Sequence, residues 1–498
     1  MATAAERICV VLLLVYLAWV PMPFGSNIDA AFLPLVVPPM ILFAGAALLR
    51  LRDHDAPHLT FPYRAWTAGA VVFIMIVAWQ LVPMPRPLLA LVSPHSNAIW
   101  SSADRIASLA GVPFGSAHPI SIDPIATRHE LLRLIAMFAA MQASALLIIT
   151  NARRLAFAAT LAIVAIFETL YGVREAAMQR YAIWGWVNRL IFNRVTGTFV
   201  NPNHFAHYVA LALPFTMFIA ALAWRHTGAT TMPLQRRMVL LFEKSLPLFS
   251  ASIFAFVGCV AGILLAQSRG ALAATIIGFI AVAIIVARRE RHPDRIQDRN
   301  TVLRQKRRPA GVIAGIIILI SVIVSLIFFL GYERTVARFE PNSVERSTLV
   351  GRVTGIEAAF AIWREFPIFG CGFGAFADLV STVQRNDLEH VYQHAHDDYA
   401  EVLATTGIAG FCVAAAALFA GLIQIVRDVI RRPRESGSWR RRAFEVAALW
   451  SIFIAMTHAL FDFNLFIPAN AATLAAIAGA CASTRIKVVT REASVSSS

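Results

Sequence analysis

The sequence predicts an all-α, polytopic membrane helical bundle of about twelve transmembrane helices with one long external loop, and three observations predict it. Hydrophobic residues fill 58% of 498 positions, mean hydropathy is +0.65, and charged residues reach only 15%, against roughly a quarter in soluble domains. Apolar runs recur at about the length, some 20 residues, that a helix needs to cross a bilayer core. The Lys and Arg residues behind the net charge of +15 gather in short blocks between those runs. That pattern sets membrane topology and lacks the continuous basic face of a nucleic-acid binder.

The runs fall at 8–24, 31–49, 65–84, 129–149, 155–173, 204–224, 246–267, 270–287, 310–331, 399–426, 444–461 and 468–484. The first follows Arg7 as a signal sequence would, but no small-x-small cleavage site follows it, so it counts as the first membrane helix. With twelve spans and their loops, the chain leaves no room for a large soluble domain. Its five cysteines are scattered without CxxC or framework spacing, which predicts no disulfide.

Two strongly basic loops, Arg288 to Arg308 and Arg427 to Arg442, are placed in the cytoplasm by the positive-inside rule. Counting outward puts Arg50 to Arg64, Arg153 with Arg154, Arg225 to Lys244 and both termini on the same side. The external segments are then 85–128, 174–203, 268–270, 332–398 and 462–467. No inverted repeat of the transporter kind is visible. Glu168 is the clearest charge inside a run, readable either as a proton path or as a bundle-facing side chain bonded to a neighbouring helix.

Polar chemistry concentrates at three external places. Arg194 to His204 (RVTGTFVNPNH) is a turn-rich approach to a helix N-terminus, a natural anion seat. Ordinary capping by Asn201 or Asn203 explains its Asn residues but not Arg194. The Gln267-Ser268-Arg269-Gly270 break sets one cation between two runs on the side where positive charge is avoided, which points to an anionic partner over simple snorkelling. The long loop carries Ile356, Phe360 and Trp363 at helical spacing, predicting an amphipathic helix from Arg352 to Glu365, with Arg352 at its start near the water. Gly370, Gly372 and Gly374 lack the strand-helix context of a nucleotide site and read as a backbone turn.

His390, His394, His396, Asp397 and Asp398 form the densest polar cluster. HxHDD spacing suits a metal in part, but zinc sites need ligands converging from more than one segment, and no metal is assigned. Asp398 with Glu401 predicts a capping box for the following span. His396 then stands outside a helix N-terminus, whose dipole favours the neutral ring of a general base, while nearby aspartates oppose it.

Together these segments resemble the O-antigen ligase/polymerase family. Its members share an Arg before a Thr-Gly-Thr-Phe and Asn-x-Asn turn, here Arg194 with Thr196 to Asn203, and a Ser-Arg-Gly break, here Ser268 to Gly270. They also share a long periplasmic loop ending in a motif His and Gly-x-x-Gly, here His396 with Gly407 and Gly410. The Pro367 to Gly374 run and the preceding Arg352 look like the family's loop signature. Asp397 departs from the usual Asn, Ser or Gln after the His. The resemblance covers roughly residues 190–470. It divides the chain into N-terminal transmembrane helices (1–190, with external loop 85–128), a ligase/polymerase-like core (191–484, with periplasmic loop 332–398) and a cytoplasmic tail (485–498).

The resemblance implies a C-type membrane glycosyltransferase of the bacterial inner membrane. Such an enzyme moves a glycan from a polyprenyl-pyrophosphate carrier to an acceptor hydroxyl, with no cofactor, nucleotide or nucleic acid. It implies Arg194, Arg269 and Arg352 as donor pyrophosphate ligands and His396 as catalytic base. Asn203, Ser268, His394, Asp397 and Asp398 would support them. The acceptor, a lipid or a glycan, separates ligase from polymerase. Alternatives are a protein O-oligosaccharyltransferase and a transporter or flippase of lipid-linked sugars.

Overall fold

The computed structural model describes residues 3–52, 64–112, 115–187, 193–226, 233–291, 343–383, 392–431 and 438–483. In chain order its helices are α1 (Ala4–Trp19), α2 (Phe32–Arg52), α3 (Arg64–Trp79), α4 (Arg86–Val92), α5 (Pro94–Leu109), α6 (Pro124–Leu147), α7 (Asn151–Ala177) and α8 (Pro202–His226). They continue with α9 (Leu234–Lys244), α10 (Leu246–Leu265), α11 (Arg269–Arg291), α12 (Ser343–Glu365), α13 (Phe376–Val383), α14 (Asp398–Arg431), α15 (Ser438–His458) and α16 (Pro468–Ala482). Every expected apolar run within the described residues coincides with one of these helices. The run at 310–331 and His390 lie outside the described residues.

Seven helices among the described residues, α2, α6, α7, α8, α10, α11 and α14, are long and apolar enough to cross a membrane, and α3 and α16 are apolar but shorter. The length and apolar composition of these helices leave one consistent class, a multi-pass helical membrane protein. Local signals set the ends. Asp123 Oδ1 accepts the N–H groups of Ile125 and Ala126 at 2.9 and 3.1 Å, and Pro124 takes the first helical position. Both features start α6 five residues before the apolar run predicts it.

The central helix is α8. Its most apolar window is 83% buried, against 22% for α14, and it packs on α7, α10 and α15. Phe205, Tyr208, Val209, Leu211 and Phe215 line its buried surface. Because the Arg194 to Asn203 turn leads directly into α8, that turn is anchored at the middle of the bundle. Alanine-rich α16 lies close against α6, the small-residue packing that lets helix backbones approach where hydrocarbon surrounds them.

The 399–426 run does not form one unbroken span. At Gly407 the backbone takes φ 64° and ψ −173°, splitting α14 into a short leading helix and a longer one. Pro367 to Gly372 fills the break. Pro367 O and Ile368 O accept the N–H groups of Ile408 and Ala409 at 2.9 and 3.1 Å, while Cys371 and Gly372 donate to Ala404 O and Thr405 O at 3.2 and 3.1 Å. Gln80 completes the seal: its Nε2 donates to Phe369 O and Thr405 O at 2.6 and 2.8 Å, and its Oε1 accepts Phe373 N–H at 2.9 Å. Backbone groups freed by the break are thereby paired, as an apolar surround requires. Gly370, Gly372 and Gly374 all have positive φ, as the expected backbone turn demands.

Two local expectations need correction. The loop helix α12 begins at Ser343, so Arg352 stands mid-helix. Its buried face is Thr354, Ala358, Ala359 and Ile362, whereas Phe360 is 41% exposed. The aromatic stripe is therefore the outer face, because small residues allow the close contact with α14 and α13. The predicted capping box also shifts: Asp397, not Asp398, caps α14, its Oδ1 accepting Ala400 N–H at 2.9 Å. Asp398 accepts Leu465 N–H instead, at 3.1 and 3.2 Å, and Glu401 reaches back to Ala395 N–H at 2.8 Å.

Gly407 occupies backbone space reserved for glycine, and an added Cβ would lie 2.3 Å from the carbonyl group of Ile368. Gly407→Ala is expected to cost at least about 1–3 kcal/mol, read as a lower melting temperature in detergent. An unchanged melting temperature contradicts a break stabilised at this residue.

Candidate functional site

Arg194 binds the end of a helix. Its Nε donates to Ala266 O at 2.8 Å and one terminal nitrogen to Gln267 O at 3.4 Å, at the C-terminus of α10, where carbonyls lack helical partners and carry partial negative charge. Val195 N–H adds a bond to Leu265 O at 3.2 Å. The 194–203 turn and the Ser268 to Gly270 break, two separate motifs in sequence, are thus one structural unit. Ser268 is explained by capping, its Oγ accepting Ala271 N–H at 3.3 Å. Arg269 is exposed at the first turn of α11, and Gly270 packs against the His458 ring.

Asn203 carries the unit toward the loop. Its Oδ1 accepts from Arg194 at 3.0 Å and its Nδ2 donates to Asp462 Oδ2 at 3.0 Å. Asn201 Oδ1 accepts Asn203 N–H at 2.8 Å, fixing the turn. Asp462, 1% exposed, sits between α15 and α16 and gathers the rest. Arg352 lies 3.8 Å from Oδ2, His396 Nδ1 3.5 Å from Oδ1, and His204 Nε2 3.7 Å from Oδ1. These three stand beyond close hydrogen-bond distance; the close hydrogen bonds come from Asn203 and from Phe463 N–H at 3.0 Å. Burial alone would raise the Asp462 pKa, but the contacts of His204 and His396 and the charge of Arg352 drive it well below the usual carboxylate range.

His396 is held in an uncommon geometry. Its φ of 56° places a non-glycine residue in the left-handed region, and its ring meets Phe463 edge-on at 5.0 Å. The neighbouring residues brace it. Asp398 N–H donates to Ala459 O at 2.9 Å, Tyr399 OH donates to Met456 O at 2.9 Å, and Asp397 caps α14. An Asp there serves the cap as well as Asn or Ser would. His394 stacks on Phe463 at 4.3 Å and pairs through Nδ1 with Glu401 Oε1 at 2.8 Å. Burial alone would lower its pKa, but Glu401, with Glu130 and Asp462 behind it, raises the net value.

Asn203, Arg352 and His396 therefore converge on one carboxylate, and Arg194 joins them through Asn203. Arg269 and Ser268 join that assembly through the neighbouring Gln267 carbonyl, while His394, Asp397 and Asp398 serve as scaffold. Asp462, His204 and Glu401 are absent from the set that sequence reasoning selects. The signal for Asp462 was available: a charge in a six-residue break between two apolar runs, the same criterion that singles out Arg269. Among the described residues, no group of three or more His, Cys, Asp or Glu could hold a metal ion. A carboxylate-oriented histidine beside arginines is equipped for proton abstraction and anion stabilisation.

Fold and site thus define a multi-pass helical membrane protein with a polar site built where turns and loops meet the bundle. Residues 254–415 match the family model described as O-antigen ligase, so this part of the chain is similar to that family. That stretch contains Arg269, Arg352 and His396; Arg194, Asn203 and Asp462 lie outside it and reach it through the contacts above. No curated protein matches the chain.

Two outcomes follow. Asp462→Ala removes a buried partner and is expected to cost about 3–5 kcal/mol, visible as a fall in melting temperature, with Asp462→Asn intermediate because it still accepts from Asn203. Equal stability of all three proteins would show that Asp462 does not hold the assembly. For His394, a raised folded pKa means that its stabilisation is complete below the unfolded value of about 6.5 and fades as pH rises through the folded value. The melting-temperature gap between wild type and His394→Gln should be widest in mild acid and close toward alkaline pH; a pH-independent gap contradicts a charged His394–Glu401 pair.

Proposed function

We propose that this protein transfers a glycan from a polyprenyl-pyrophosphate carrier to an acceptor hydroxyl at the periplasmic face of the bacterial inner membrane, acting as an O-antigen ligase or polymerase. The observation that carries the reading is the convergence of Asn203, Arg352 and His396 on Asp462, with Arg194 joined to it through Asn203. The O-antigen ligase match over residues 254–415 supports it. So does the charge pattern, which by the positive-inside rule sets these residues opposite the basic loops, with both termini cytoplasmic.

The chemistry divides simply. His396 Nδ1 lies 3.5 Å from Asp462 Oδ1, and the ring's other nitrogen, Nε2, is the base. Nε2 takes the proton of the acceptor hydroxyl as its oxygen bonds to the anomeric carbon. The bond from that carbon to the carrier's pyrophosphate oxygen breaks, and the polyprenyl pyrophosphate leaves with the electron pair. Pyrophosphate is already a good leaving group, so cations to receive its charge suffice and no nucleotide sugar is used. Arg269, exposed at the first turn of α11, and Arg194 are its principal ligands, with Arg352 as a third. The planar guanidinium group of Arg269 can grip phosphate oxygens in two places.

The test is reconstitution of purified protein with labelled lipid-linked glycan, offering core lipid, a second lipid-linked repeat and a peptide separately. Label should pass to the core lipid or the repeat. His396→Ala should abolish transfer while carrier binding persists; a change in translocation instead identifies a transporter, and label on the peptide identifies a protein oligosaccharyltransferase. Arg269→Lys keeps charge but loses the fork, so both it and Arg269→Ala should slow transfer, by about 10-fold or more for Ala. Wild-type rates for both at equal protein levels remove Arg269 from the donor site.

A further inference from the structure

Glu168 lies within α7 at 0% exposure, a carboxyl group with no part in the chemistry above. Its Oε2 accepts Thr198 N–H at 2.7 Å, and its Oε1 stands 2.7 Å from Thr198 Oγ1. That hydroxyl is also 2.8 Å from Pro21 O. A hydroxyl has one hydrogen and a carbonyl none. Thr198 therefore has a single proton for two short oxygen–oxygen contacts, and the second contact needs a proton from the carboxyl group. Among the described residues no Arg, Lys or His side chain pairs with Glu168, and an ionised carboxylate buried without a counter-charge is strongly disfavoured.

We propose that Glu168 is held as a neutral carboxylic acid and is the positioning residue for the turn that presents Arg194 to the donor pyrophosphate. Oε1–H donates to Thr198 Oγ1, the hydroxyl donates to Pro21 O, and Oε2 receives Thr198 N–H; every proton and acceptor is matched. The positioning part rests on the glycan-transfer reading. Thr198 is central in the turn, whose ends are fixed elsewhere, Val195 N–H on Leu265 O and Asn203 on Asp462. Neighbouring Gly197, at φ 56°, lies so close to Glu168 that a side chain there would overlap Oε2. The acid thus clamps the middle of the turn to α7 and, through Pro21, to the connection after α1.

Glutamine keeps a donor toward Thr198 Oγ1 and an acceptor for Thr198 N–H without ionising, at the cost of one extra N–H, whereas alanine deletes both. In the reconstituted transfer assay, Glu168→Gln should stay within about twofold of wild type, and Glu168→Ala, checked as monodisperse in detergent, should raise the donor KM about tenfold. Adding Glu168→Ala to Arg194→Ala should cause little further loss, because both act through one turn, while mere destabilisation would add. Infrared difference spectra of wild type against Glu168→Gln should show the carbonyl band of a protonated carboxylic acid. A Gln variant as impaired as Ala, additive losses in the double variant, or the absence of that band overturns the proposal. Full transfer by Arg194→Ala overturns the donor-site reading and the positioning role with it, while the infrared band still decides the protonation of Glu168.

Discussion

A carboxylate buried to 1% exposure at the end of a helix bundle must be surrounded by donors or be expelled, and those that Asp462 collects come from separate stretches of chain. Asn203 and His204 approach from the first turn of α8, Arg352 from the middle of α12 and His396 from the residues leading into α14. None of these contacts alone would order a loop. Their shared acceptor makes them interdependent, since losing one donor leaves the buried charge less compensated for the rest.

That dependence needs rigid supports, and the bundle provides them by unusual backbone. The break at Gly407 opens α14 to the Pro367 to Gly372 segment, with Gln80 bonding both sides. The loop residues that carry Arg352 and the residues that carry His396 are thereby tied to the same broken helix. On the opposite flank, Arg194 holds the end of α10 and, through Asn203, hands that position on to Asp462. Irregular backbone at a membrane-embedded bundle persists only where it is paired in this way, which is also where ligands of membrane proteins find polar groups.

Much of this was legible beforehand. Apolar runs locate the helices because a bilayer imposes a minimum length and tolerates few charges, so α2, α6 to α8, α10 and α11 read almost directly. Arg194, Arg269, Arg352 and His396 stood out because charges are rare next to such runs. Less legible was anything depending on which face of a helix is covered. The aromatic spacing of α12 marks a periodic face but not its direction, and small residues, Thr354, Ala358 and Ala359, make the closer contact. The cap of α14 shifted by one residue because Asp398 had a distant partner in Leu465.

The sequence by itself determined the class of protein and the placing of its helices within the described residues, and it singled out most of the charged side chains that meet in the candidate site. Composition and run length are local quantities, and a membrane reads them locally. Only the tertiary structure decided that Asp462 is the common partner, that Asn203 links two distant motifs and that Glu168 faces a turn. Each of those is a meeting of residues far apart in the chain, and which donor satisfies a buried acceptor is settled by packing, not by spacing along the sequence.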